Sequence, residues 1–262
     1  MATKPPSLHS LRLAIGFLTV LPVRADALQP GDPSTSSGQA LGRAGKWFPA
    51  VGLALGLVLV AAHWLLSQLF PPLLSAALIV ALWAVLTGGL HLDGLADCCD
   101  GLFAAVSPER RLEIMRDPRL GAFGGIGLIL FILLKVLAVA SLPPDAAAQG
   151  VPLLLAPALG RWLILLVARQ PSARPGGMGA GFALGLSRSV FIWAALIPLG
   201  LVIAGGWRAV IAAGLAHLSA LAAGGLARAH LGGVTGDVFG LTVELTELTT
   251  LLAFAARWPV IL

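Results

Sequence analysis

Asp93, Asp97 and Asp100 lie in the stretch HLDGLADCCDGL, residues 91–102, at positions i, i+4 and i+7. On a helix, that spacing sets three carboxylates on one face within two turns. Charges of one sign so close together repel unless a cation sits among them, and hard oxygen ligands suit Mg²⁺ or Mn²⁺. Magnesium takes one or two carboxylates, keeps waters and accepts substrate phosphates, so the chemistry indicated is phosphoryl transfer. A lone acidic pair would read as a solvated helix end, but three aspartates in helical register favour a metal platform.

Three further segments carry groups suited to the same chemistry. In ERRLEIMRDPRLGAFGG, residues 109–125, Arg116, Asp117 and Arg119 precede a glycine-rich helix start, where arginines and free N–H groups can hold a phosphate. Arg110, Arg111 and Glu113 read equally well as an amphipathic helix on an anionic membrane. ARQPSARPGGMGAGF, residues 168–182, brings Arg169 and Arg174 without any acid, as a phosphate-gripping lid or a flexible loop that sets topology. LGGVTGDVFGLTVELTEL, residues 231–248, places Asp237 and Glu244 seven apart on one helix face as further metal ligands, with Glu247 beyond. Lys135 and Arg161 fall inside apolar runs, where an ionisable residue is a functional candidate by default, here for substrate phosphate. Arg161 has pairing with an acid as its alternative.

The elements that must position these groups are membrane helices. Of 262 residues, 58% are hydrophobic and 11% charged, and the mean hydropathy is +0.92, beyond the range of an ordinary soluble domain. The apolar runs are continuous and near twenty residues, which excludes the alternating pattern of a membrane barrel. The expectation is an all-α, polytopic integral membrane protein with about seven spans, six to eight, forming a single helical domain over residues 1–262. Spans are placed at 47–70, 73–90, 122–142, 151–168, 189–205, 207–226 and 238–256. Residues 1–46 form an N-terminal segment whose apolar patch, Leu11 to Leu21, is too short to span and suits an interfacial helix. Thirteen of seventeen basic residues fall on one side, which the positive-inside rule makes the cytoplasm. That topology accounts for the net charge of +5 without a nucleic-acid partner. Cys98 and Cys99 are neighbours, which strains any bridge between them, so no disulfide framework is expected. His63, His217 and His230 read as packing or interfacial residues.

GGLHLDGLADCCDGL, RRLEIMRDPRLGAFGGIG, ARQPSARPGGMGAGF and LGGVTGDVFGLTVE, in that order, resemble the signatures of the cobalamin synthase family, also called adenosylcobinamide-GDP ribazoletransferase. FLTVLPV near the start and KWFPAVGLALG at the first span also match its pattern. The resemblance implies a multi-pass enzyme of the bacterial inner membrane, with its active site on the cytoplasmic side, acting late in cobalamin biosynthesis. It would need Mg²⁺, join adenosylcobinamide-GDP to α-ribazole or its 5′-phosphate, and release GMP. The metal would sit on Asp93, Asp97 and Asp100, the arginines would hold developing charge, and the general base would be one of those aspartates or His91. Pro118 departs from the family, which more often has a small polar residue there. A homo-oligomer is left open.

Two other readings compete. A CDP-alcohol phosphotransferase also begins its signature with Asp-Gly, but it needs a following Ala-Arg and a later aspartate pair that this chain lacks. A divalent-cation transporter would line a path with Lys135, Arg161, Glu244 and Glu247, yet it needs polar groups at both faces, and here they gather at one.

Overall fold

Each continuous apolar run becomes one helix, because in lipid the backbone must satisfy its hydrogen bonds within the segment. The computed structural model describes residues 6–23, 35–143, 146–174, 176 and 178–258. Among these are twelve α-helices: α1 (Pro6–Leu18), α2 (Thr35–Ala44), α3 (Phe48–Leu69), α4 (Pro72–Thr87), α5 (Leu90–Phe103), α6 (Pro108–Ile114), α7 (Ala122–Ala140), α8 (Ala146–Val167), α9 (Met178–Gly185), α10 (Arg188–Ala204), α11 (Gly206–Leu231) and α12 (Gly236–Ala255). There is no strand among the described residues, only an isolated bridge between Ser172 and Val234.

Five of these segments are long and apolar enough to cross a membrane by themselves. Counting α4 and α10, each part of a bent helix pair, gives seven, matching the seven runs of the sequence. Because α3, α4, α7, α8, α10, α11 and α12 alternate in direction, α5, α6, α9 and the turn before α12 fall at one end of the bundle. α8 and α12 form its centre, with 72% and 78% of their apolar windows buried, while α7 turns Ile126, Ile129, Leu133 and Leu137 outward. α1, too short at 13 residues to cross, buries Leu13, Ala14 and Leu18 in the core.

Two sharp bends refine the expected architecture. The aspartate stretch was expected at the end of the second span, yet α5 is a separate helix turned 92° from α4. The turn is made by Gly88 and Gly89 at φ of 63° and 69°, a left-handed conformation that residues with a Cβ resist. α5 therefore leaves the direction of α4 at a right angle and packs against α7 and α12. A second bend of 90° separates α9 from α10, so the presumed loop 168–182 ends in a helix. α2 is also helical where a polar lead-in was expected, and it continues through a 3₁₀ turn, Gly45–Trp47, into α3. α2 and α9 can lie this close because Gly42 and Gly185 face each other, and a Cβ on Gly42 would come within 2.8 Å of the Gly185 Cα.

Candidate active site

α5 crosses α12 where both are bare of side chains. A Cβ on Gly94 would lie 2.7 Å from the Asp237 carbonyl, and one on Gly240 would lie 3.1 Å from the Gly94 Cα. This contact brings the 91–102 and 231–248 segments together. The 168–174 segment is tied to the same place through its backbone: Val234 N–H donates to Pro171 O at 2.8 Å, and Ala173 N–H to Val234 O at 3.0 Å. Ser172 then shapes the turn, its hydroxyl accepting from Arg174 N–H at 3.3 Å and donating to Arg174 O at 3.1 Å. Arg174 is thereby aimed at Asp237, Nη2 to Oδ2 3.6 Å, and also reaches Leu112 O on α6 at 3.4 Å. The Thr235 hydroxyl caps α12 and donates to Asp237 Oδ2 at 3.1 Å.

These contacts enclose a cavity of about 290 Å³ whose polar lining includes His91, Asp93, Ser172, Arg174, Thr235 and Asp237. Asp97 lies beside it, half-buried. Burial, and then the charges of Asp237, Asp93 and Asp100, push the Asp97 carboxyl up to about 7 against the pull of Arg174. Carboxylates crowded to this extent favour a cation among them, and an all-oxygen set suits a hard one. Among the described residues, no group of three or more His, Cys, Asp or Glu side chains is placed to hold a metal ion, so a cation here would rest on one or two carboxylates, as Mg²⁺ does with water and phosphate completing its shell.

Asp100 departs from the expected ligand set. Its two oxygens accept Gly121 N–H and Gly124 N–H, each at 2.8 Å, so this carboxylate caps the start of α7. The free N–H groups expected there for a substrate phosphate are therefore taken by an anion of the chain itself. Asp117 pairs with Arg119, Nη2 to Oδ2 2.6 Å, and this partner pulls its carboxyl down to about 2. Arg119 points to solvent, 86% exposed, outside the cavity lining. Arg116 is exposed as well, though its charge is felt at Asp237. Arg169 lies over the Phe191 ring, 5.4 Å from its centroid, and not in the cavity. Arg111 turns out to be structural: its guanidinium donates to Gly101 O at 3.0 Å, to Val106 O at 3.1 Å and to Leu102 O, closing the end of α5.

The charged residues inside the spans pair with one another. Lys135 donates to Glu244 at 2.9 Å and to Glu247 at 2.5 Å, and Arg161 donates to the other Glu247 oxygen. Lys135 Nζ also lies 4.2 Å from the Trp83 ring centroid. Neither cation is placed to hold a substrate phosphate, and Glu244 stands with Lys135 rather than with the aspartates. Their burial explains why: a charge at that depth must find its counter-charge within the protein. Glu247, the carboxylate shared by both cations, was visible in sequence as a continuation of the helix face and as one of the charges a transporter path would need, not as the partner of Lys135 and Arg161. His91 joins this network at its edge, with Nδ1 3.4 Å from Arg161 Nη2. A guanidinium only donates, so Nδ1 is the acceptor and the proton sits on Nε2. His91 also lines the cavity, beside Asp93.

The cavity also has lining that the sequence did not single out: Phe17, Leu41, Ile164, Phe182 and Phe239. The three phenylalanines each lie in a segment that resembles the family, Phe17 in FLTVLPV, Phe182 in ARQPSARPGGMGAGF and Phe239 in LGGVTGDVFGLTVE, whereas Leu41 and Ile164 sit among apolar residues of identical appearance.

The family described as cobalamin-5-phosphate synthase matches residues 10–255. The chain is similar to the adenosylcobinamide-GDP ribazoletransferase of Ectopseudomonas mendocina, at 45% identity over 93% of this chain and 97% of the relative. It is 42% identical to that of Pseudomonas aeruginosa over 95% of this chain and 98% of the relative. With that of Desulfitobacterium hafniense the identity is 38% over 97% and 100%. No solved structure matches the chain.

Proposed function

The chain belongs to the cobalamin-5-phosphate synthase family, and from that membership we propose which of its residues carry the reaction and where in the cell they work. It is a multi-pass membrane enzyme of late cobalamin biosynthesis, an adenosylcobinamide-GDP ribazoletransferase. The substrates are adenosylcobinamide-GDP and α-ribazole or its 5′-phosphate, and the products are adenosylcobalamin or its 5′-phosphate and GMP. The observation that carries the residue assignment is the meeting of three distant polar segments, 91–102, 168–182 and 231–248, on one cavity whose lining holds Asp93, Asp237 and Arg174.

A ribose hydroxyl of the acceptor attacks the phosphorus joined to the corrinoid. The new O–P bond forms as the bond from that phosphorus to the bridging oxygen breaks, and the electron pair leaves with GMP. The hydroxyl proton passes to a carboxylate oxygen of Asp93, the more open of the two aspartates lining the cavity. Arg174, held by Ser172 and Leu112, faces the charge that gathers on the departing phosphate. Asp93 and Asp237, the two carboxylates of the cavity lining, would hold Mg²⁺, which would neutralise diphosphate charge and polarise its phosphorus. Asp100 contributes by fixing α5 to α7.

Asp93→Asn and Asp237→Asn should each lower GMP release at least about 10³-fold in correctly inserted protein. Manganese bound by the wild type and followed by electron paramagnetic resonance should be lost in both. Full turnover in either variant would remove it from the site. The basic residues at the site end support a cytoplasmic active site in the inner membrane. Cysteines introduced at Arg119 and Arg208 should label from opposite faces of sealed vesicles, Arg119→Cys from the cytoplasmic one.

A further inference from the structure

The cavity holds more than phosphate chemistry requires. Besides its charged groups, it is lined by Phe17 of α1, Leu41 of α2, Ile164 of α8, Phe182 of α9 and Phe239 of α12. The aromatic part is a fixed row. Phe48 lies between Phe17 and Phe182, with ring centroids 5.9 and 5.7 Å apart, and Phe182 meets Phe239 at 5.8 Å. Phe48 and Phe182 are almost fully buried, so the rings facing the cavity cannot turn away. Three of the helices supplying this wall, α1, α2 and α9, lie at the site end of the bundle and contribute none of the charged lining.

We infer that this cavity is the subsite of the acceptor nucleoside, with its base on the phenylalanine row and its ribose toward Asp93 and Asp237. The inference rests on the ribazoletransferase reading and assigns one of its two substrates to a place. Size is the first argument. About 290 Å³ suits a compact ligand of roughly twenty non-hydrogen atoms and is far too small for a corrin ring. Chemistry is the second. The dimethylbenzimidazole of ribazole is planar, and its methylated edge neither donates nor accepts hydrogen bonds, so an aromatic and aliphatic wall satisfies it fully. Guanine would bury a row of donors and acceptors there with nothing to pair them. The guanosine of the donor substrate is thereby excluded from the wall. A second cavity of about 580 Å³, between α5, α7, α11 and α12, offers no charged group to either substrate.

The test uses full-length protein in lipid nanodiscs, with both substrates varied. Phe17→Ala should raise KM for ribazole about tenfold or more and leave KM for adenosylcobinamide-GDP within about twofold. Phe17→Leu, which keeps apolar bulk at the end of α1, should fall between it and the wild type, and it stays informative if the alanine variant unfolds. The wild type should use the riboside of unmethylated benzimidazole about tenfold less well than ribazole, a preference for two buried methyl groups that shrinks in Phe17→Ala. Ribazole 5′-phosphate, with the same base, should respond as ribazole does. A rise in KM for adenosylcobinamide-GDP alone, or indifference of the wild type to the two methyl groups, would overturn the assignment. Wild-type protein that releases no GMP with both substrates present would instead remove the activity on which the assignment rests.

Discussion

Removing the Asp100 carboxylate should weaken the protein without touching its metal requirement. Each of its oxygens accepts one backbone N–H at 2.8 Å from the first turn of α7. A hydrogen bond to a charged group contributes about 1.5–3 kcal/mol when shielded, and half-exposure of this site roughly halves that. The favourable placement of an anion at a helix start adds about 0.5 kcal/mol. Asp100→Ala should therefore cost about 2–3 kcal/mol and lower the unfolding midpoint by about 5–10 °C. Asp100→Asn should do nearly the same, since its amide would turn a donor toward a backbone donor. The Mg²⁺ concentration for half-maximal GMP release should stay within about twofold, because both oxygens are spent on N–H groups. Asp93→Asn should show the reverse pattern, a midpoint close to the wild type with a loss of metal binding. Gly124→Ala provides an internal control: its Cβ would overlap the Asp100 carboxylate, so it should reproduce the Asp100→Ala loss. Combining the two should lose no more than the worse single change. The measurements are thermal unfolding in detergent and metal titration of initial rates. An Asp100→Ala protein with an unchanged midpoint and a raised Mg²⁺ requirement would refute the cap and restore Asp100 to the metal.

Lys135→Met strands Glu244 at depth, leaves Glu247 to Arg161 alone and should destabilise by about 3–5 kcal/mol, whereas Lys135→Met with Glu244→Gln should recover part of that, as read from unfolding midpoints. Gly94→Val forces α5 away from α12, so it should cut kcat at least about tenfold while the separate start of α7 keeps the helices assembled, which circular dichroism would verify. Arg174→Lys keeps the charge but loses the planar guanidinium, whose Nη2 alone lies near Asp237 and Leu112 and whose other N–H groups are left to meet a phosphate. It should lower kcat about tenfold or more, and an unchanged kcat would show that a point charge suffices.

The seven apolar runs were legible because a span leaves an unmistakable record of length and hydropathy. The meeting of the four polar segments was legible for a related reason: an even number of crossings returns the chain to the same face. The role of Asp100 was not, since i+7 spacing states which face a residue occupies and not which partner arrives from another helix. The same limit applied to Lys135 and Arg161. Sequence marks them as unusual at that depth, but their partners lie on α12 and only packing pairs them. The Gly88–Gly89 turn was present in the letters, yet glycine pairs are common in membrane helices for close packing, and nothing local distinguished a corner from a contact. The phenylalanine row was least visible as a row: Phe48, Phe182 and Phe239 each lie in a segment that resembles the family, but nothing in the letters makes them neighbours until three helices are set side by side.

The paired charges of the core also bear on how the protein is made. Lys135 lies on α7, and its partner Glu244 comes 109 residues later in the chain. Arg161 on α8 precedes its own partner by 86 residues. A chain inserted from its N-terminus must therefore lodge an unneutralised ammonium in lipid and keep it there until the final span emerges. Translocon-based scales place the penalty for such a lysine at about 2.5–3.5 kcal/mol. α7 has a hydropathy of 2.5, the highest of the five segments that qualify alone, while α12, which arrives with two acids and finds its cations already in place, has 1.5, the lowest. α7, which waits longest for its partners, thus carries the largest apolar surplus of the five, and α12, which completes the set, has the least.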